Sequence, residues 1–121
     1  MDMMASTRQV GSVTVVDISG RIVLWEESNT LRSLVSDLLN KGHKKILFNL
    51  SDVHYIDSLG VGHLVSAFTS VRKQGGELKL LKLTNKVHHV LQITKLYTVF
   101  DIMDDEAVAV KSFSQSAAAT G

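Results

Sequence analysis

The sequence contains no cysteine, which excludes disulfide bonds, thiolate catalysis and the usual thiolate ligands of structural zinc. Neither sign of charge dominates: 13 basic and 12 acidic side chains give a formal net charge of +1, so no global field attracts nucleic acid. No uncharged stretch approaches the roughly 18 residues of a membrane span, and the first residues, MDMMASTRQV, lack the apolar core of a signal peptide. These absences predict a cytoplasmic protein that binds neither nucleic acid nor membrane and recognises its partners locally.

What is present indicates one ordinary globular domain. The 121 residues are 45% hydrophobic and 21% charged, which is close to the average of soluble proteins. The chain is long enough to bury a core without disulfides or metals. We expect the domain to span residues 1–113 and the small, polar segment 114–121 to be a frayed tail.

Apolar patterns predict strands and helices in alternation. Five apolar residues lie at helical spacing between Leu31 and Leu39, preceded by the acids Glu26 and Glu27 and followed by Gly42, as helix ends prefer. The segment KKILFNL (44–50) is apolar without alternation, which is typical of a central strand covered on both faces. The other predicted elements are a strand at 12–22, helices at 58–74, 85–94 and 105–114, and strands at 77–83 and 98–104.

This order of elements predicts the fold class. Strands that alternate with helices pair in parallel and carry the helices as cover, so the protein is of the α/β class. The first strands look like a hairpin edge, which makes the sheet mixed. The apolar positions change phase between Val15 and Val16, which a bulge or burial on both faces explains. We therefore expect a four- or five-stranded mixed β-sheet with helices mainly on one face.

The stretch IDSLGVG (56–62) is the most informative part of the chain. It places Ser58 between a predicted strand and a predicted helix, so either Asp57 or Ser58 caps the helix. A serine at this position is also exposed beside free backbone N–H groups, which suit an anion. Gly60 and Gly62 are expected to add bare amides at the same place. The two interpretations are compatible.

The helix after Ser58 has two unlike faces. An apolar stripe faces the core and contains Val61, Leu64, Val65, Phe68 and Val71. A neighbouring strip consists of small residues and one cation, with Leu59 beside it, and its members are Ser58, Gly62, Ser66, Thr69 and Lys73. Small side chains let another surface approach the backbone, whereas solubility alone selects longer charged residues. This strip is the predicted partner-binding surface.

Metal and enzyme sites have little support. His54, His63, His88 and His89 match no known metal-ligand spacing, with or without the nearby Asp52 and Asp57.

A Ser58–His63 dyad is disfavoured because five residues along a helix separate the two side chains by roughly 140°. Trp25 is either a partner anchor or a cap on the core. We expect Lys44, Lys45, Arg72 and Lys73 to be ordinary solvated charges.

The segment 45–83, with the motif DSLGVG at 57–62, resembles the core of the STAS family, specifically the bacterial anti-sigma factor antagonists. In those proteins a strand leads into a D-S-x-G-x-G turn. The likeness extends to VDISGRI (16–22), VHHVLQITKLYTVFDI (87–102) and DEAVAV (105–110), so it covers nearly the whole chain.

This resemblance implies a STAS-like single domain whose motif serine, here Ser58, is phosphorylated by a partner. The implied partner is a serine/threonine kinase that binds the ATP and also acts as an anti-sigma factor, and a serine phosphatase resets the switch. The chain itself is then not an enzyme and needs no cofactor. Its implied contact residues are Asp57, Ser58, Leu59, Gly60, Gly62, Ser66, Thr69 and Lys73.

Asp57 has a functional interpretation, orienting the hydroxyl or helping the kinase hold a metal ion, and a structural one as a cap. The chain departs from the family where aspartates are frequent, at Val23 and Asn49, and where a second serine is frequent, at Leu59. Two rivals to the switch remain. One is a STAS module that acts without phosphorylation, as a scaffold in a stress-signalling assembly or as a subunit for lipid transport, and the other is a small serine-dependent enzyme.

Overall fold

A computed structural model describes residues 3–22 and 30–120. The strands in these ranges are β1 (Met4–Val10), β2 (Val13–Ile22), β3 (Lys45–Ile56), β4 (Glu77–Leu81) and β5 (Ile102–Met103). The helices are α1 (Thr30–Asn40), α2 (Val61–Lys73), α3 (Asn85–Ile93) and α4 (Glu106–Thr120). No helix in the described ranges is both long enough and apolar enough to cross a membrane.

The strands form one mixed sheet in the order β1-β2-β3-β4-β5. β1 and β2 are antiparallel, and the three other pairs are parallel. The register aligns Asp17 of β2 with Asn49 of β3, and Ile22 with Ile56. The carboxyl ends of β2 and β3 therefore meet immediately before residues 57–60. The predicted α/β class and mixed sheet are confirmed.

Three helices cover one face of the sheet and α4 covers the other. The main core combines buried residues of α1, α2 and α3 with one side of the strands, including Val16 and Phe48. A smaller cluster on the opposite side packs Val15 against Ala109 and Phe113 of α4. Burial on both faces thus explains the change of phase after Val15, and the prediction of helices mainly on one face is confirmed.

β3 stays anchored in the main core along its whole length. Leu50, Val53 and Ile56 are all fully buried there although they lie three residues apart. Two irregularities in the pairing with β2, both beyond Asp17, account for this spacing, because an extra residue resets the alternation of faces. The buried Ile56 then fixes where residues 57–60 leave the sheet.

The ends of several elements differ from the prediction. β3 continues to Ile56 and α4 to Thr120, beyond the predicted 44–50 and 105–114, and β4 ends at Leu81, short of the predicted 77–83. α2 and β5 differ as well. The regular part of α2 begins at Val61 and not at Ser58, because residues 58–60 form a turn of their own. β5 has only two residues and pairs only with β4. Its shortness is a feature that the apolar segment 98–104 does not reveal.

Three predictions fall wholly or partly outside the described side chains. Glu26 and Glu27, expected in the first turn of α1, and Trp25 lie outside the described residues. The backbone of α4 is helical as far as Thr120, which includes most of the segment expected as a tail. Fraying of residues 114–121 stays a prediction.

Candidate functional site

Asp57, and not Ser58, caps the turn that leads into α2. The Asp57 carboxylate accepts a hydrogen bond from the Gly60 amide at 2.5 Å, and its carbonyl accepts one from the Val61 amide at 3.1 Å. A side-chain cap of this kind stabilises a helix by about 1 kcal/mol. The N-cap of α2 itself is Gly60, which has no side-chain cap, so Asp57 caps the preceding turn and neither predicted residue caps the regular helix.

Ser58 is exposed at the start of this turn. Its hydroxyl makes no hydrogen bond to any residue in 3–22 or 30–120, and the amides of Ser58 and Leu59 are likewise unpaired within those ranges. Two of the free N–H groups at the head of the helix therefore remain available beside the hydroxyl. This geometry allows a protein partner to reach the oxygen and allows the turn to accept an anion.

Gly60 differs from its predicted role. It is buried, and a Cβ added there would lie 2.1 Å from the carbonyl oxygen of Ile22. The residue therefore lets the turn pack against the end of β2 and is not an exposed partner contact. Its amide binds Asp57 and the amide of Gly62 binds the Leu59 carbonyl at 3.0 Å, so neither glycine offers a bare amide.

The other members of the predicted strip are all exposed. We define the exposed strip as Ser58, Leu59, Gly62, Ser66, Thr69 and Lys73. Leu59 keeps 58% of its surface and adds one apolar side chain beside the small residues. The opposite side of α2 is the expected core stripe, in which Val61, Leu64 and Val71 are buried. Val65 and Phe68 are only partly buried, and Ala67 is a core residue that the pattern missed.

A polar groove of about 280 Å³ runs between α1 and α2, beside the exposed strip. Sequence reasoning did not find it, because its walls come from two helices whose relative placement the pattern does not give. Its polar lining residues are Arg32, Ser36, His63, Ser66, Ser70 and Gln74.

Two cations lie over one tyrosine near Ser58. The guanidinium carbon of Arg21 is 5.0 Å from the centroid of the Tyr55 ring, and the ammonium nitrogen of Lys86 is 5.1 Å from it. Distances of this size give a cation–π attraction of about 0.5–1 kcal/mol at an exposed site. The apolar pattern does not reveal this cluster, because its three members come from β2, β3 and α3.

Asn49 belongs to a charged cluster on the α4 side of the sheet. Its amide donates to the Asp17 carboxylate at 2.8 Å, and the same carboxylate accepts from Arg8 at 2.7 Å. Arg8 also donates to Glu106 at 2.6 Å. These hydrogen bonds from Arg8 lower the pKa of Asp17 and of Glu106, and they raise the pKa of Arg8. An aspartate at position 49 would face a second carboxylate, so the asparagine has a structural reason.

The histidines have no common site in the structure. No group of three histidine or acidic side chains among the described residues is placed to hold a metal ion. His88 stacks edge-on against Tyr97, with the ring centroids 4.9 Å apart. Val23, where the sequence departs from the family pattern, lies outside the described residues.

Comparison with known proteins places these observations in a family. The model of the STAS domain matches residues 4–109. The anti-sigma-B factor antagonist of Bacillus subtilis is 33% identical over 102 residues, which are 84% of this chain and 92% of that protein.

Solved structures agree with this match. A Thermotoga maritima protein, named as a candidate anti-sigma factor antagonist, has a TM-score of 0.81 at 27% identity and covers 91% of this chain and 94% of its own. The anti-sigma factor antagonist SpoIIAA has the same fold in its unphosphorylated form, at a TM-score of 0.69 and 17% identity over 90% of this chain and 95% of its own. The phosphorylated form of this Bacillus protein also gives 0.69, at 19% identity over 90% and 98%. The chain studied here therefore belongs to the STAS domain family.

Proposed function

We propose that this protein is an anti-sigma factor antagonist switched by phosphorylation of Ser58. With a free hydroxyl, the protein binds an anti-sigma factor serine kinase through the exposed strip, and the sigma factor is released. With a phosphate on Ser58, the protein leaves the kinase until a phosphatase removes the group. In the transfer step the Ser58 oxygen attacks the γ-phosphorus of ATP held by the kinase, ADP leaves, and the hydroxyl proton passes to a base of the kinase.

One observation carries this proposal: Ser58 is exposed, unpaired among the described residues and located at the head of the exposed strip. A kinase needs an accessible hydroxyl, and a docking partner needs a surface without long side chains. Ser58 supports the first requirement, and the small side chains of Gly62, Ser66 and Thr69 on the same strip support the second. The hydrogen bond from the Gly60 amide to the Asp57 carboxylate also holds the backbone of the turn that carries Ser58.

The switch acts through local obstruction of the interface. A phosphate adds about 1.5 to 2 negative charges at neutral pH beside Asp57. The head of a helix stabilises an anion by about 0.3–1 kcal/mol, so the fold tolerates the phosphate. A partner on the exposed strip must instead desolvate the dianion and accommodate its bulk. Because each 1.4 kcal/mol weakens binding about tenfold, a penalty of a few kcal/mol abolishes useful affinity.

The SpoIIAA structures support the view that the fold need not change. The unphosphorylated and phosphorylated forms match this chain with the same TM-score of 0.69. A STAS domain thus has this architecture in both states, which supports local obstruction over a global rearrangement.

The asparagine at position 49, where aspartate is frequent in the family, does not weaken the proposal. The Asn49 side chain is bound to Asp17 on the α4 side of the sheet. Asn49 belongs to β3, nine residues before Ser58. The asparagine therefore serves the charged cluster and leaves the exposed strip unchanged.

Intact-mass measurement after incubation with the cognate kinase and ATP tests the proposal. We expect one phosphate on the wild type and none on Ser58→Ala, whereas the matched control Ser66→Ala, from the same strip, accepts one phosphate. Phosphate on Ser58→Ala would place the modification on another residue and contradict the assignment of Ser58. No phosphate on any variant while the kinase still binds would favour a STAS scaffold that acts without phosphorylation. Turnover of a small substrate by purified protein that Ser58→Ala abolishes would favour the enzyme.

A further inference from the structure

Arg21 and Lys86 form a pair of exposed cations held by one aromatic ring. Each charged group lies about 5 Å from the Tyr55 centroid, so the two charges are at most about 10 Å apart. Tyr55 is half-buried and both cations are exposed. Like charges at this spacing repel each other in water, and an anion placed between them interacts with both.

Neither cation has a carboxylate partner among the described residues. No ion pair in ranges 3–22 and 30–120 includes Arg21 or Lys86, whereas Arg8 pairs with both Asp17 and Glu106. The tyrosine ring attracts the cations but carries no net charge, so within the described residues no carboxylate compensates their positive charge. Arg8 differs from Arg21 and Lys86, because its charge is paired with two carboxylates.

The tyrosine that holds the pair is near Ser58 in the chain. Arg21 is the register partner of Tyr55 at the carboxyl ends of β2 and β3, and Tyr55 precedes Ser58 by three residues. Three residues span at most about 10 Å. Lys86 is the second residue of α3, and this helix is tied to β3 because the Thr84 hydroxyl donates to the Val53 carbonyl at 3.0 Å.

We propose that Arg21, Tyr55 and Lys86 form a docking patch for an acidic segment of the protein that covers Ser58. This inference rests on the proposed function, since it assigns the charge of the same partner. The guanidinium fork suits a carboxylate, and the ammonium adds a second positive point charge. A protein segment fits better than a small anion because the patch consists of exposed side chains. A segment of a partner that already covers Ser58 is held at high local concentration.

The patch also adds an electrostatic part to the switch. A phosphate on Ser58 adds about 1.5 to 2 negative charges. Ser58 is three residues along the chain from Tyr55, whose ring holds the two cations. The phosphate competes with the acidic segment for Arg21 and Lys86 and repels that segment. Phosphorylation then weakens both the contact over Ser58 and the contact beside it.

Titration of the full-length, ¹⁵N-labelled chain with an alternating Glu-Ser octapeptide tests this proposal without the kinase. Shifts are expected at Arg21, Tyr55 and Lys86, and the alternating Gln-Ser octapeptide should cause none there. Loss of both cations in Arg21→Gln/Lys86→Gln should weaken binding about tenfold, because each surface contact of this kind contributes a few-fold. The matched control Lys41→Gln/Lys111→Gln removes two exposed cations elsewhere and should bind normally.

Two results would overturn the proposal. One is equal weakening in both double variants, which indicates attraction to general positive charge. The other is shifts at the patch from inorganic phosphate at the same concentration as from the peptide, which indicates a small-anion site. If the double variant does not fold, Lys86→Gln alone should weaken binding about threefold, and an unchanged affinity counts against the patch. Because no kinase takes part, failure here leaves the phosphorylation of Ser58 as a separate question.

Discussion

Replacement of Gly60 by alanine is the substitution for which the structure gives the clearest expectation. The new Cβ would lie 2.1 Å from the Ile22 carbonyl oxygen, 2.8 Å from its carbonyl carbon and 3.0 Å from the Asp57 carboxylate. Contacts under 3.0 Å are essentially never seen for a real Cβ. The turn and the end of β2 must therefore separate by about 1 Å, and both are backbone that the buried Ile22 and Ile56 hold in place.

The expected net cost of Gly60→Ala is about 1–2 kcal/mol of the free energy of unfolding. Overpacking a rigid site costs typically about 1–3 kcal/mol, and here the obstacle is backbone and not a flexible side chain. Gly60 has helical angles, φ −64° and ψ −28°, so alanine regains up to about 1 kcal/mol through its helix propensity. The clash is the larger effect.

Gly62→Ala is the matched control in the same turn region. A Cβ at this position meets nothing within 4 Å, and the residue is exposed in the first turn of α2. We expect Gly62→Ala to stabilise the protein by up to about 1 kcal/mol. Urea unfolding measures both variants, and the midpoint of Gly60→Ala should fall by about 1 M. Equal stability of the two variants would refute the close approach of the turn to β2, and with it the fixed presentation of Ser58.

The charged cluster on the α4 side gives two further predictions. Hydrogen bonds from Arg8 lower the pKa of Asp17 and of Glu106. The stabilisation of the folded protein by these bonds is therefore complete above the ordinary pKa values of the two carboxyl groups. It is lost as the pH falls through the lowered pKa values. Because all three side chains are partly exposed, Arg8→Met should lower the free energy of unfolding by only about 1 kcal/mol at pH 7 and by nothing at acid pH. Urea unfolding measures this difference, and a difference that does not change with pH would contradict the prediction. Asn49→Asp should cost about 1–2 kcal/mol at pH 7, since two carboxylates then face each other, and the cost should shrink on acidification. An unchanged unfolding midpoint at pH 7 would show that Asp17 does not need the amide.

The sequence predicts the fold well because the pattern of apolar residues contains most of it. The unbroken apolar run around Phe48 indicates a strand covered on both faces, and Gly42 with φ +86° ends α1 where the pattern places its stop. The irregular pairing of β3 is harder to foresee. Only the spacing of three between Leu50, Val53 and Ile56 reveals it, and that spacing is also compatible with a helix.

The site is predicted in part, and the missing part is tertiary. Helical periodicity places Ser58 and the strip on an exposed face. The same periodicity cannot show that Gly60 meets the backbone of Ile22, because this contact depends on the register of β2 against β3. The cluster around Tyr55 escapes for the same reason, since Arg21 and Lys86 are far apart in sequence.

The affinity of the kinase for the protein before and after stoichiometric phosphorylation tests the central claim most directly. Calorimetry with wild type, phosphorylated at Ser58 and confirmed by intact mass, should show binding at least about 100-fold weaker than with the unmodified protein, which corresponds to a penalty of about 3 kcal/mol. Ser58→Ala should bind like the unmodified protein and stay bound in the presence of ATP. Equal affinity of the two forms would contradict the claim that a phosphate at the head of α2 obstructs the interface.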